Sequence, residues 1–225
     1  MAVIGLGAAV FDLDGTLIDT EPRNRVMWSR LFDAHSVPYD EALIGSFAGR
    51  RGIEVLADHA HKFPGHTVEE LFEQAISYES LPGMPDAAPV PGAVGLVRSL
   101  ADAGVPLAVV TSGQRPYAER LLELLGIRDL LDLVVTAGDV VTGKPHPEGY
   151  LAAARDLDVP AAEAVGFEDA PAGVAAVKAA GMTCVGIVTT QPAGALAEAD
   201  HVVADFMEVD VVPGPALRVR RTVTS

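Results

Sequence analysis

Two rhythms of apolar and polar residues divide the chain. Beyond residue 20, apolar positions recur at three- and four-residue spacing: Val26, Met27, Leu31 and Phe32 within 24–35, then Ile53, Val55, Leu56 and Ala60 after Arg51. Such spacing lines one face of a helix. A third helical pattern starts at Thr67, whose hydroxyl and the Glu70 three places on form a capping-box pair. No strand pattern separates these helices. Beyond Val90 short apolar runs alternate with amphipathic stretches: helices over 92–103, 115–125, 150–156 and 171–180, strands over 105–110, 131–136, 164–167, 183–188 and, last and short, 201–203.

That alternation predicts an α/β fold, a doubly wound parallel sheet covered on both faces. Its first strand is the run Ala8-Ala9-Val10, which opens into Phe11-Asp12-Leu13-Asp14-Gly15-Thr16-Leu17. The change of rhythm therefore sets an α/β core over 1–18 and 90–225 apart from an inserted helical cap over 19–89, whose exit is the Pro/Gly-rich stretch 81–89. The stripe Leu121, Leu122, Leu124 and Leu125 is expected to pack in the core. The tail from Pro213 carries mixed signals and is expected to be loosely held.

Composition narrows the class. With 225 residues, 49% of them hydrophobic and 21% charged, the chain is long enough to bury a sizeable core. Its formal net charge of -15 argues against nucleic acid or an anionic membrane as partner, because both need a basic face. The expected partner is a small molecule. A single cysteine, Cys184, can form no internal disulfide, no apolar run reaches the ~18 residues of a membrane span, and the apolar start lacks a basic leader. The expected location is cytoplasmic.

Polar residues gather where the inferred strands stop. The first ends at Asp12 and Asp14, that through Val109-Val110 at Thr111-Ser112-Gly113, and that through Gly166-Phe167 at Glu168-Asp169; the loop Gly143-Lys144-Pro145-His146-Pro147 lies between the last two. In a parallel sheet these ends share one edge. Carboxylates brought together there repel unless a cation sits among them, and an all-oxygen set suits Mg2+. Lys144 and the Thr111 and Ser112 hydroxyls supply donors for an anion, so the inferred site holds a phosphoryl group. Singly, Asp14-Gly15 reads as a turn, Asp169-Ala170-Pro171 as a helix N-cap and Lys144 as a surface charge. Only the ordered conjunction points to chemistry.

In order, Phe11 to Leu17, Val109 to Gly113, Gly143 to Glu148 and Phe167-Glu168-Asp169-Ala170-Pro171-Ala172-Gly173 resemble the four motifs of the haloacid dehalogenase-like phosphohydrolases. The nearest likeness is to the beta-phosphoglucomutase-like branch, which includes sugar-phosphate and glycerol-phosphate phosphatases and carries a small helical cap. The resemblance implies a Rossmann-like core in which Asp12 attacks phosphorus to give an aspartyl-phosphate, while Asp14 protonates the leaving alcohol and later activates water. It further implies that Thr111 and Lys144 hold phosphoryl oxygens and that Ser112 adds a backbone N–H. Mg2+ would bind Asp12, the backbone carbonyl of Asp14 and Asp169, with Glu168 close by.

The same resemblance separates relatives. Dehalogenating and phosphonate-cleaving members lack an acid at the position of Asp14. Mutases carry a cap histidine shortly after the pair matched here by Asp19-Thr20, where this chain has Asn24. Glu21, Arg50 and Arg51 are the cap candidates for substrate contact. The expected activity is Mg2+-dependent hydrolysis of small phosphorylated sugars or polyols by a monomer or weak homodimer. The alternative is a sugar phosphomutase of the beta-phosphoglucomutase type; a receiver-like module storing a phosphoryl group on Asp12 is disfavoured by Asp14 and by the cap.

Overall fold

A computed structural model describes residues 1–214 and 216–220. The chain opens with β1 (Ala2–Gly5) and β2 (Ala8–Phe11), the second buried at every position. A short strand, β3 (Ile18–Asp19), leads into α1 (Glu21–Ala34), α2 (Glu41–Gly45), α3 (Gly52–Asp58) and α4 (Val68–Ser77). Thr67 and Glu70 close the expected capping box at the start of α4. The chain returns as β4 (Ala88–Pro89), paired with β3, so the helical segment leaves and re-enters through one two-stranded ribbon.

Strands and helices then alternate: α5 (Ala93–Asp102), β5 (Leu107–Val110), α6 (Arg115–Leu125), β6 (Leu133–Val135), α7 (Glu148–Asp156), β7 (Ala164–Glu168), α8 (Pro171–Ala179), β8 (Thr183–Ile187) and β9 (His201–Val203). The six longer-range partners form one parallel sheet of order β6-β5-β2-β7-β8-β9, the expected Rossmann-like α/β arrangement. β2 lies in the middle, with Phe11 level with Val109 on one side and Phe167 on the other. The residues that follow these three positions therefore emerge at the same height.

Packing differs on the two faces. On one, Phe11 stacks on Phe167 with centroids 4.6 Å apart, and Phe206 closes the cluster. On the other, small strand residues such as Ala8 and Ala108 let α7 and α8 approach closely, around the fully buried Tyr150. The cap has an apolar centre of its own, where Trp28 stacks on Phe47 at 4.1 Å beside Phe32, Leu56, Phe63 and Leu71. No helix among the described residues is long and apolar enough to cross a membrane.

Two expectations and one alternative reading, that of Asp169 as an N-cap, are corrected. β1 pairs with β11 (Ala216–Val219), which also pairs with β10 (Val209–Val212), making a small antiparallel sheet of order β1-β11-β10. The tail is thus held as far as Val219, because Leu217 and Val219 point inward while Arg218 faces out; Pro215 and 221–225 lie outside the described residues. Leu124 is 69% exposed, since a core-facing helix buries a stripe narrower than four leucines in five positions. Asp169 is not an N-cap: α8 starts after Ala170, with Pro171 in its first turn and no side-chain cap.

Candidate active site

Asp12 follows directly on β2, and its backbone N–H donates to Phe167 O at 3.0 Å, which keeps the turn tied to β7. Asp12 is only 3% exposed. Lys144 donates to Asp12 Oδ1, to Glu168 Oε1 at 2.7 Å and to Val110 O at 3.1 Å, so three elements meet on one ammonium. Burial alone would lower the Lys144 pKa, but Asp12 and Glu168 hold it above the ordinary lysine range. Asp12 Oδ2 is buried without a hydrogen-bond partner among the described residues.

Glu168 is fixed from three sides. Besides Lys144, it accepts the Tyr150 hydroxyl at 2.7 Å and the Asp169 N–H at 3.2 Å. A Cβ at Gly173 would lie 1.9 Å from its carboxylate, so only glycine lets α8 pass there. Asp169 accepts the Thr16 hydroxyl at 3.1 Å on Oδ1 and the Thr190 hydroxyl on Oδ2. Gly15 has φ +81°, and a Cβ on it would come within 2.1 Å of Asp169 Oδ2, which makes this glycine doubly required. Asp14 accepts the Tyr117 hydroxyl at 2.5 Å and the Thr20 hydroxyl at 2.7 Å, both on Oδ1.

Charge in this pocket is poorly balanced by protein alone. Burial pushes Asp12 and Asp14 above the ordinary carboxylate range, and burial with the Glu168 charge pushes Asp169 up to about 8. Asp12, Glu168 and Asp169 each offer an oxygen, all within 4.8 Å of one another. An all-oxygen set, an orphaned buried carboxylate oxygen and surplus negative charge fit a hard divalent cation.

Of the residues singled out in the sequence, Asp12, Asp14, Thr111, Lys144, Glu168 and Asp169 come together at this sheet edge. The Thr111 hydroxyl accepts the Gly113 N–H at 3.0 Å and lies 3.4 Å from Asp14 Oδ2. A cavity of about 490 Å³ opens above Asp12 and is walled on the cap side by Glu21, Asn24, Trp28, Phe47 and Arg50. Ser112 also lines it, although its hydroxyl donates to Gly49 O of the cap at 3.1 Å. Arg51 lies elsewhere: its guanidinium reaches the core carbonyls of Ala137 and Val140 at 2.9 Å and Val141 at 3.0 Å, tying the cap to the core. Thr16, Tyr117, Tyr150 and Thr190 are additions from the structure. Thr190 stands just past β8, where the strand-end rule applied to Asp12 would have found it.

A sequence model of the haloacid dehalogenase-like hydrolase family matches residues 6–181. The chain is 52% identical over 201 residues to validoxylamine A 7'-phosphate phosphatase of Streptomyces hygroscopicus subsp. limoneus, spanning 89% of this chain and 94% of that protein. It is 31% identical over 208 residues to hexitol phosphatase A of Escherichia coli (strain K12), spanning 92% and 94%. Among solved structures, beta-phosphoglucomutase from Clostridium difficile superposes with a TM-score of 0.76 at 26% identity, covering 89% of this chain and 92% of that one. Sheet order, strand-end acids and sequence similarity agree over most of the length: the chain belongs to the haloacid dehalogenase-like hydrolases.

Proposed function

We propose that this hydrolase releases phosphate from small phosphorylated sugars or polyols through an aspartyl-phosphate on Asp12, with Mg2+ as its metal. The observation that carries the reading is the Asp12 carboxylate, one oxygen fixed by Lys144 and the other buried without a hydrogen-bond partner among the described residues. Asp12 attacks phosphorus, the ester P–O bond breaks, and its electron pair goes to the alcohol oxygen, which takes a proton from Asp14. Water then attacks the same phosphorus while Asp14 takes its proton, and the acyl-phosphate bond breaks to return the Asp12 carboxylate. Burial keeps the Asp14 pKa raised, which favours the proton that the first step needs.

Lys144 neutralises charge on Asp12 and on the transferring group, and the Thr111 hydroxyl and the Ser112 N–H would supply further donors to its oxygens. Mg2+, held by Asp12, Glu168, Asp169 and the Asp14 carbonyl, would supply further neutralisation of phosphoryl oxygens. For the alcohol half, the cavity offers Glu21, Asn24 and Arg50 as hydrogen-bonding groups and Met27, Trp28, Phe47 and Phe72 as an apolar wall. By name, one relative acts on validoxylamine A 7'-phosphate and the other on a hexitol ester, and a small phosphorylated sugar or polyol suits such a lining. Asn24, where mutases of this branch carry a histidine, bonds weakly to Thr20 Oγ at 3.3 Å and offers no base for a return transfer.

The test is phosphate release from a panel of sugar, polyol and cyclitol monophosphates with Mg2+ and with excess chelator. We expect release without any bisphosphate activator, and none with chelator. Cleavage of no ester by metal-loaded protein would overturn the reading. Isomerised product that depends on a bisphosphate would place the enzyme with the mutases instead.

A further inference from the structure

The Asp14 carboxylate is bound unevenly. Oδ1 accepts two hydroxyls, from Tyr117 at 2.5 Å and Thr20 at 2.7 Å, whereas among the described residues Oδ2 has only the Thr111 hydroxyl at 3.4 Å. We propose that Tyr117 is a positioning residue: by clamping Oδ1 it fixes the orientation of Asp14 and leaves Oδ2 as the oxygen presented to the ester and to water. This rests on the reading of Asp14 as the acid and base.

Local sequence is arranged around that phenol. Tyr117 is the third residue of α6, directly after Pro116, whose ring sets the first turn of the helix. A Cβ at Gly113 would lie 2.8 Å from Tyr117 Cδ1, so the glycine that ends the Thr111-Ser112-Gly113 turn makes room for the ring. Arg120 stands over the ring at 5.5 Å from its centroid and pairs at 3.2 Å with Glu79, in the turn just after α4. The phenol is thereby held between core and cap, and burial together with the neighbouring Asp14 carboxylate raises its pKa above the ordinary tyrosine value, so it remains a donor at neutral pH. A tyrosine that merely filled space would need no such partner. Here the partner is the group whose proton moves.

Tyr117→Phe keeps the ring and removes only the hydroxyl. With Mg2+ and an alkyl phosphate that the parent cleaves, kcat is expected to fall about tenfold, a fraction of the roughly 10²–10⁴ that general acid–base catalysis supplies. KM and the melting temperature should stay close to the parent's. In an Asp14→Asn background the same change should cost nothing further, because the group it positions can no longer carry a proton. An unchanged kcat in Tyr117→Phe, or an equal loss in both backgrounds, would overturn the assignment while leaving phosphatase activity in place. Full activity in Asp14→Asn would instead overturn the role of Asp14, and the assignment with it.

Discussion

Asp12→Asn should abolish phosphate release while leaving the metal-free fold as stable as the parent, or more so. The loss of turnover is expected to be on the order of 10⁴-fold or greater, the scale for removal of a covalent nucleophile. Stability moves the other way for a stated reason. Burial holds the folded-state pKa of Asp12 well above its unfolded value, with Lys144 opposing and Glu168, Asp169 and Asp14 adding to the rise. A carboxylate raised in this way destabilises the fold at pH values above its unfolded pKa, where folding must keep an unfavourable charge. The amide removes that charge, and Lys144 keeps Glu168 at 2.7 Å and Val110 O at 3.1 Å. Thermal melts and steady-state assays on one preparation measure both; a variant that melts well below the parent would show that Asp12 holds the core together rather than being held by it.

Lys144→Met should have the opposite signature, with activity and stability lost together. The ammonium is 5% exposed and is the cation that both Asp12 and Glu168 contact. Its raised pKa means that the pairing stabilises the fold throughout the range below about 10.4, the unfolded lysine value, and is lost only as pH climbs through the folded value. Breaking a buried pair costs about 3–5 kcal/mol, and in a chain of this size that lowers Tm by roughly 10 °C. Adding Glu168→Gln should return part of the lost stability, because one uncompensated charge is gone and the new amide oxygen still accepts the Tyr150 hydroxyl. It should not return activity. A Lys144→Met protein melting with the parent would show that the acids are balanced by something other than this lysine.

Much of the site was legible because an apolar strand ending in a polar residue marks its own sheet edge. Asp12, Thr111 and Glu168 each follow such a run, and parallel pairing through Phe11, Val109 and Phe167 brings Asp12 and Glu168 level, with Thr111 one residue beyond them. What the text withholds is neighbourhood. That β2 lies between β5 and β7, putting Lys144 within reach of both Asp12 and Glu168, is settled by crossovers and not by local spacing. The β1-β11-β10 sheet escapes for the same reason: its strands come from the two ends of the sequence.

Side-chain direction accounts for the remaining differences. Gly49-Arg50-Arg51-Gly52 looks like one basic turn, yet Arg50 lines the cavity and Arg51 is committed to core carbonyls, since neighbouring residues at a helix start point apart. Tyr117 sits within an amphipathic helical pattern and reads as packing until Asp14 is seen beside its hydroxyl. Asp169 with a proline two residues on mimics a cap, but Thr16 and Thr190 occupy its carboxylate from the segments that follow β2 and β8.

The central claim is that phosphorus passes through Asp12 on its way to water. The stereochemical course of hydrolysis tests this most directly, using a thiophosphate monoester made chiral with oxygen isotopes and cleaved in isotopically labelled water. Each in-line displacement inverts phosphorus, so two in succession predict overall retention. Overall inversion, the outcome of direct attack by water on the ester, would contradict the account.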